Sequence, residues 1–384
     1  MPTYTESVEV RILDGPNIYF GRPAIKLTMS VPGWLRAGEQ RLERMGANME
    51  LPPTLHPGAP STDQRHRFAA RTAAHVTRQI ARAAGTRLGV RGRAGPEADQ
   101  VVVAFPWRQE GTAQALAEEV PAALSDLLVT RRSLSRIAEE AAARILAAAP
   151  GEAPSVPEPS VPVVAVTGTN GKTTTVRLLA HLVQASGRRV AYSSTDGVYH
   201  DDILVESGDY SGFAGAGLAL SQPGVDVAVL ETARGGILLR GIGTLHNDVA
   251  VVTNVSSDHL GLQGIRTLDQ LAEVKAAITR ITRPEGWVVL NADDPRVLSM
   301  RKGASGRPFL FSMDPHHPAI RDALSEGGRA ITVLDGSLVS FGPGSTLHRL
   351  VALEELPVTL AGIATQHVQN AMAATAAALG IELS

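Results

Sequence analysis

The spacing of apolar residues changes along this 384-residue chain, and each kind of spacing predicts a different secondary structure. In the first part of the chain, short apolar runs predict strands over 8–13, 24–29 and 100–105. Apolar residues that recur every three or four positions predict helices over 65–84, 110–128 and 132–149. Proline and glycine around 51–58 predict a loop. These elements are enough for an independent α/β (α+β) domain over residues 1–149.

A proline-rich stretch over residues 150–162 fits neither spacing. Its five prolines disfavour both helix and strand, so we expect an extended, semi-rigid linker there. Because extended and exposed backbone fits a protease cleft, this linker is also the expected first site of limited proteolysis. An ordered loop packed on one domain is the alternative.

From residue 163 onwards, strand and helix patterns alternate. Strands are predicted over 189–193, 225–230, 249–253, 287–290, 309–312 and 330–334. Helices are predicted over 174–185, 268–281 and 371–379. Such alternation predicts a parallel sheet with helices on both faces, over residues 163–384. Functional side chains are then expected at the carboxyl ends of the strands.

Composition narrows the possible functions. The chain has no cysteine, which excludes disulfides, thiol chemistry and zinc–thiolate sites. A net charge of −2 and a pI near 6.6 give no electrostatic reason to expect nucleic acid or a membrane as a partner. We find neither a signal-peptide pattern nor an apolar run of membrane-spanning length, so we expect a cytoplasmic protein.

The most informative stretch is the apolar run at 163–167 followed by Gly-Thr-Asn-Gly-Lys-Thr at 168–173 and a helical pattern. Small residues in such a loop turn backbone N–H groups towards a polyphosphate, and the helix N-terminus adds its own. Lys172 is expected to reach the terminal phosphates, and the Thr173 hydroxyl to face Mg²⁺. The usual Gly-x4-Gly-Lys spacing would put glycine at Val166, so this is a compact variant. A glycine-rich turn before an ordinary helix is the alternative.

Three further side chains follow predicted strands or lie on a predicted helix. Glu231 ends the strand at 225–230 and could face nucleotide-bound Mg²⁺; pairing with Arg234 or Arg240 is the alternative. His259 follows the strand at 249–253, and Lys275 lies on the helix at 268–281. Taken alone, a histidine of this kind is usually satisfied by local hydrogen bonds, and a helical lysine is usually solvated.

Taken together, these segments resemble a known family. Residues 168–173, 254–259, Lys275 and 291–295 are similar to the central domain of the Mur ligase superfamily, which includes peptidoglycan amino-acid ligases and folylpolyglutamate synthetases. Residues 195–199 and 230–238 resemble the cyanophycin synthetase branch in particular. Residues 13–18, the helix around 75–76 and residues 101–105 resemble the N-terminal domain of that branch.

This resemblance implies a P-loop, parallel-sheet ATPase domain of Mur-ligase type over 163–384. It also implies ATP-dependent formation of an amide bond between a peptide-like or amino-acid carboxylate and an amine, through an acyl phosphate. Lys275 would be carbamylated, and with His259 it would bind a second Mg²⁺, while Thr173 and Glu231 bind the first. Thr195, Asp196 and Arg234 are the candidate substrate contacts. The residues implied to hold the ATP phosphates are Gly168, Thr169, Asn170, Gly171, Lys172, Thr173 and Thr174.

The chain also departs from the family pattern. The adenine-contacting motif His-Asn-x-x-Asn reads Gln-His-Val-Gln-Asn at 366–370, so that only Asn370 is kept. The proline-rich linker stands where cyanophycin synthetases carry an ATP-grasp domain, and residue 384 falls before the third domain of the superfamily. We therefore expect that a partner chain could supply that domain. A non-ligating protein that binds ATP to regulate or dock a partner is the main alternative, and small-molecule phosphotransfer is a third possibility.

Overall fold

The computed structural model describes residues 5–130, 132–257, 260–342, 346–356, 358, 362 and 364–383, which fold into two compact units. The first contains the chain up to Asp14 together with Arg22–Ser155, and the second contains Gly15–Gly21 together with the chain from Val156 onwards. Backbone hydrogen bonds hold the short segment in the second unit, from the Gly15 amide to the Arg240 carbonyl and from the Ile242 amide to the Pro16 carbonyl. No pattern in the sequence predicts that residues 15–21 belong to the second unit.

The first unit is a four-stranded antiparallel sheet packed against helices. Its strands, in the order β1-β2-β4-β3, are β1 (Glu6–Leu13), β2 (Ala24–Ser30), β3 (Arg91–Ala94) and β4 (Gln100–Pro106). Its helices are α1 (Pro32–Arg36), α2 (Glu39–Asn48), α3 (Asp63–Ala83), α4 (Glu110–Val129) and α5 (Leu134–Ala147). Alternate residues of β2 and β4 enter one core with α3, α4 and α5, as the period of two in a strand requires.

Two features of this unit differ from the sequence-based expectation. Helices α1 and α2 were not predicted. Helix α1 has only five residues, and α2 is mostly polar and exposes most of its residues. Only Leu42 and Gly46 of α2 are buried, so packing rather than propensity stabilises it. In addition, the amides of Glu110 and Gly111 donate to the carbonyls of Glu152 and Pro150, so the start of the proline-rich stretch packs on α4.

The second unit is built on an eleven-stranded sheet in the order β15-β14-β13-β12-β11-β10-β5-β9-β6-β7-β8. The seven strands from β13 to β6 are parallel, and an antiparallel pair extends the sheet at each end. The parallel strands are β5 (Val163–Thr167), β6 (Val190–Ser194), β9 (Val227–Glu231), β10 (Asn247–Val252), β11 (Thr282–Asn291), β12 (Arg307–Ser312) and β13 (Arg329–Leu334). The outer strands are β7 (Gly197–His200), β8 (Ile203–Ser207), β14 (Ser337–Phe341) and β15 (Leu347–Ala352).

Helices cover both faces of this sheet, as the sequence predicts. Val164 and Val166 of β5 pack into one core with α6 (Lys172–Ala185) and α12 (Thr365–Gly380). Val163 packs into a second core with α7 (Phe213–Leu220). The remaining helices are α8 (Arg234–Leu239), α9 (Leu268–Lys275), α10 (Pro295–Ser299) and α11 (Pro318–Ser325). Within the described part of the chain, none of the helices is both long and apolar enough to cross a membrane.

Candidate phosphate and metal site

The loop between β5 and α6 is closely surrounded by other parts of the second unit. Gly171 has φ 83°, and a Cβ there would lie 2.1 Å from Oδ1 of Asn370. A Cβ on Gly168 would lie 1.8 Å from Oγ1 of Thr253. Both positions therefore require glycine, for lack of space at each and for backbone conformation at Gly171.

The backbone donors at the end of this loop and in the first turn of α6 are available to a ligand. Among the described residues, no acceptor is found for the N–H groups of Gly171, Lys172, Thr173 and Thr174. Helix α6 begins at Lys172 without a side-chain cap, so these donors and the positive end of the helix dipole meet at one point. Nζ of Lys172 lies 3.0 Å from the Thr169 carbonyl, at the edge of the same loop. This arrangement suits a polyphosphate.

The residues after β10 hold the loop in place. Oδ1 of Asn254 accepts from the Asn170 amide at 2.9 Å, and Oγ1 of Thr253 donates to the Asn170 carbonyl at 2.6 Å. The Ser256 amide donates to Oγ1 of Thr169 at 3.0 Å. Sequence reasoning assigned no role to Thr253, Asn254 or Ser256. A signal existed in the polar residues that follow a buried strand, but only the pairing of β10 with β5 brings them to the loop.

Helix α12 closes the other side of the loop. Besides Asn370, which lies against Gly171, it contributes Gln366 and Gln369 to a small cavity beside the loop. Nε2 of Gln369 donates to Oδ2 of Asp293 at 3.2 Å. The three polar side chains of the altered motif thus line one small cavity. The contact of Asn370 with adenine stays a prediction.

Glu231 and Thr173 meet at the carboxyl ends of the neighbouring strands β9 and β5. Oγ1 of Thr173 donates to Oε2 of Glu231 at 2.8 Å, and Oγ1 of Thr195 lies 3.2 Å from Oγ1 of Thr173. Glu231 is 1% exposed, and its Oε1 has no hydrogen-bond partner among the described residues. Burial raises the pKa of Glu231, while the hydrogen bond from Thr173 and the charge of Lys172 lower it.

This carboxylate makes no ion pair with either arginine that the sequence offered. It accepts a hydrogen bond from Thr173, and the Arg240 guanidinium lies 4.5 Å from the ring centre of Phe213 instead. An unpartnered buried carboxylate oxygen beside a hydroxyl supplies the hard oxygen ligands that Mg²⁺ prefers. The residues present therefore fit a nucleotide-bound Mg²⁺ that completes its coordination with phosphate oxygens and water.

The remaining candidate residues are Lys275, Asp196, Arg234 and His259. Lys275 is 3% exposed in the last turn of α9, so the alternative of a solvated surface lysine is wrong. Asp196 pairs with Arg177 at 2.6 Å, and Arg234 is the first residue of α8, directly after the β9 segment. His259 lies outside the described residues. Among the residues that are described, no cluster of three histidine or acidic side chains could hold a metal ion.

The sequence of the second unit is similar to known proteins. The family model for the Mur ligase middle domain matches residues 166–378. A cyanophycin synthetase from Geminocystis herdmanii is 47% identical over 225 residues, which make up 58% of this chain and 26% of that protein. A UDP-N-acetylmuramoyl-L-alanyl-D-glutamate–2,6-diaminopimelate ligase from Chlorobium phaeobacteroides is 31% identical over 196 residues, or 50% of this chain and 37% of that protein.

A solved structure of a ligase with the latter name aligns at a TM-score of 0.44 with 24% identity, over 58% of this chain and 44% of that one. The chain spans about a quarter of the length of the cyanophycin synthetase that it matches.

Proposed function

Because the chain belongs to the Mur ligase family through its middle domain, we propose that it is the ATP-binding part of a ligase that joins a carboxylate to an amine at the expense of ATP. The proposed substrates are an amino-acid or peptide-like carboxylate and an amine, as the similarity to cyanophycin synthetases suggests. We propose that the reaction takes place in the cytoplasm.

One observation carries this proposal: the Thr173 hydroxyl and the unpartnered Oε1 of Glu231 lie together beside free backbone N–H groups. The N–H groups of the loop would bind the β- and γ-phosphates of ATP, with the charge of Lys172 close by. Thr173 and Glu231 would hold Mg²⁺, which would neutralise phosphate charge when bound.

In the proposed reaction, the substrate carboxylate attacks the γ-phosphorus and ADP leaves, which gives an acyl phosphate. The amine then attacks the acyl carbon, phosphate leaves and the amine loses a proton. The residues of this chain form no covalent bond in either step, so their role is to position the reactants and neutralise charge. We propose that Arg234 pairs with the substrate carboxylate and that Thr195 and Asp196 contact the rest of the substrate.

We further propose that His259 and a carbamylated Lys275 bind a second Mg²⁺. The burial of Lys275 supports this role, because burial favours the neutral amine that reacts with CO₂.

Since the chain spans about a quarter of its cyanophycin synthetase relative, further domains would complete the site, in the same chain or in a partner.

The test uses this chain together with the further domains that complete the site, and it screens carboxylates and amines for ADP release, with hydroxylamine present to trap any acyl phosphate as a hydroxamate. We expect at least one carboxylate to give both products, and Lys172→Ala to reduce the rate roughly 100-fold or more. Lys302→Ala is the matched control, because Lys302 is an exposed lysine of the same unit. ATP binding without a hydroxamate from any carboxylate would favour the alternative, an ATP-binding protein that regulates or docks a partner.

A second variant tests the carbamate. Lys275→Ala should lose ATP-dependent turnover while it keeps most of its nucleotide affinity, because the second metal position is lost and the phosphate loop is not. Lys275→Glu should keep more activity, and added acetate should restore part of the activity of Lys275→Ala, since each supplies a carboxylate oxygen. Normal turnover by Lys275→Ala would exclude the carbamate.

A further inference from the structure

The first unit contains a cavity that the proposed ligase reaction does not use. It has a volume of about 510 Å³ and lies between the ends of α3, β4 and α5 and the first turns of α4. This volume is within the range of small-molecule binding sites, roughly 300–1,000 Å³.

The walls of this cavity are apolar and partly aromatic. Phe105 and Trp107 line it at the end of β4, and Leu88, Leu116 and Leu146 add aliphatic surface. Nε1 of Trp107 donates to the Leu13 carbonyl at 3.2 Å, which fixes the indole ring. Leu146 is 69% exposed at the edge of the cavity. A pre-formed apolar wall with an exposed leucine at its edge is typical of a surface that binds a ligand.

The charged residues around the cavity all have the same sign. Arg22, Arg87 and Arg108 line it, and none of the described lining residues is acidic. No ion pair or hydrogen bond of the Arg87 and Arg108 guanidinium groups is found with any residue that the structure describes. Gln109 and Thr112 add polar side chains to the lining. This combination of apolar wall and positive edge complements an anion that carries an apolar group.

The start of α4 does not itself bind an anion. The amides of Glu110, Gly111 and Thr112 donate to carbonyls of the proline-rich stretch at 2.9–3.3 Å, so the donors of this helix end are already used. Recognition of a negative charge therefore depends on the arginine side chains. Substitutions of these arginines can test it without changing the backbone hydrogen bonds.

We propose that this cavity binds a small organic anion with an aromatic or aliphatic group, such as an aromatic carboxylate or sulfonate. The apolar group packs against Trp107 and Leu116, and the anionic group pairs with Arg87 and Arg108. A planar guanidinium forms two parallel hydrogen bonds with a carboxylate or sulfonate, which is why arginine suits this task. This proposal does not depend on the ligase activity.

The test uses two probes that share one apolar group. Anilinonaphthalene sulfonate carries an anion, and N-phenyl-naphthylamine lacks it; both become fluorescent when they enter an apolar site. We expect the 384-residue chain to bind one sulfonate probe per molecule, and to bind it at least about ten-fold more tightly than the neutral probe. Equal affinities would mean that the arginines recognise nothing, and would overturn the proposal.

Variants then locate the site. Arg87→Gln together with Arg108→Gln should weaken binding of the sulfonate probe about ten-fold and leave the neutral probe unchanged. The matched control is Arg67→Gln together with Arg71→Gln, which removes the same charge from the exposed side of α3. Leu146→Ser should weaken binding of both probes about two- to five-fold, because apolar contact area is lost. An equal loss in the control pair, or no loss in the first pair, would overturn the site.

Discussion

Arg65 in the first unit and Glu231 in the second are both almost completely buried, with exposed fractions of 0% and 1%. The guanidinium of Arg65 donates to five backbone carbonyls, those of Trp34, Leu35, Ala37, Pro57 and Gly58, at 2.5–3.3 Å. At Glu231, Oε2 accepts a hydrogen bond from Thr173, the Thr195 backbone amide adds an interaction that lowers the pKa of the carboxylate, and Oε1 has no partner within normal hydrogen-bond geometry among the described residues. One buried charge is fully satisfied by the fold and the other is not.

The difference separates a structural charge from a functional one. Arg65 joins the end of α1 to the loop at 57–58, and each of its bonds is made within the folded chain. A buried polar atom without a partner is costly, so it persists where a ligand completes it. Removing the first charge should therefore destabilise the protein, whereas removing the second should stabilise it and impair binding.

The largest expected effect is that of Arg65→Met. It leaves buried carbonyls without donors, and we expect the free energy of unfolding of the first unit to fall by about 3–5 kcal/mol. Urea unfolding followed by tryptophan fluorescence measures this in a Trp287→Phe background, where Trp34 and Trp107 report only on the first unit. Arg67→Met, on the exposed side of the same helix, is the control and should change stability by less than about 0.5 kcal/mol. An Arg65→Met protein as stable as the wild type would mean that Arg65 has no structural role, and the contrast between Arg65 and Glu231 would fail.

The next effect has the opposite sign. Glu231→Gln should raise the free energy of unfolding of the nucleotide-free protein at pH 8 by about 1 kcal/mol, because a neutral amide replaces a buried charge. The pKa of Glu231 is raised by burial above its ordinary value of 4.5, so the folded state binds a proton at this carboxylate more tightly than the unfolded state does. The contribution of Glu231 to the stability of the wild type is therefore greatest below pH 4.5. It is lost as the pH rises through the pKa that Glu231 has in the folded state.

The pH dependence of the difference isolates this group. Glu231→Gln and wild type should have equal stability at low pH, where both side chains are neutral, and should diverge as the pH rises. Urea titrations of both proteins at several pH values measure this divergence. A variant that is less stable than wild type at pH 8 would mean that Glu231 makes a structural interaction like that of Arg65.

An effect of similar size, but a loss of stability, is expected for Thr173→Val, which removes the Thr173–Glu231 hydrogen bond. We expect a loss of about 0.5–1.5 kcal/mol in the stability of the second unit, and a further rise in the pKa of Glu231 because the Thr173 hydroxyl lowers it. Thr174→Val is the matched control, since no side-chain hydrogen bond of Thr174 is found within the described chain. If both variants behaved alike, the Thr173–Glu231 bond would contribute nothing.

The pairing of Thr173 with Glu231 could be expected from the sequence, and the role of Arg65 could not. Both Thr173 and Glu231 follow apolar strands, and the carboxyl ends of parallel strands meet at one edge of a sheet. Arg65, in contrast, looks like any polar residue in the first turn of an amphipathic helix. Its acceptors lie 7–31 residues away in sequence, in turns whose positions no local pattern gives.

The same reason explains which parts of the fold were missed. The parallel strands β5, β9 and β10 are buried on both faces and show as continuous apolar runs. The outer strands β8 and β15 are largely exposed, so their sequences carry no clear period. The burial of Lys275 likewise depends on what packs around α9, which the sequence of the helix alone does not reveal.

The central claim is that the free oxygen of Glu231 is kept for a metal ion bound with ATP, and calorimetric titration of ATP tests it most directly. Wild type should bind ATP much more tightly with Mg²⁺ than with EDTA, whereas Glu231→Gln should bind with similar affinity in both conditions. In EDTA, Glu231→Gln should bind ATP at least as tightly as wild type, because the backbone donors of the loop are unchanged and a negative charge near the phosphates is removed. A Glu231→Gln protein with the full wild-type response to Mg²⁺ would contradict the account.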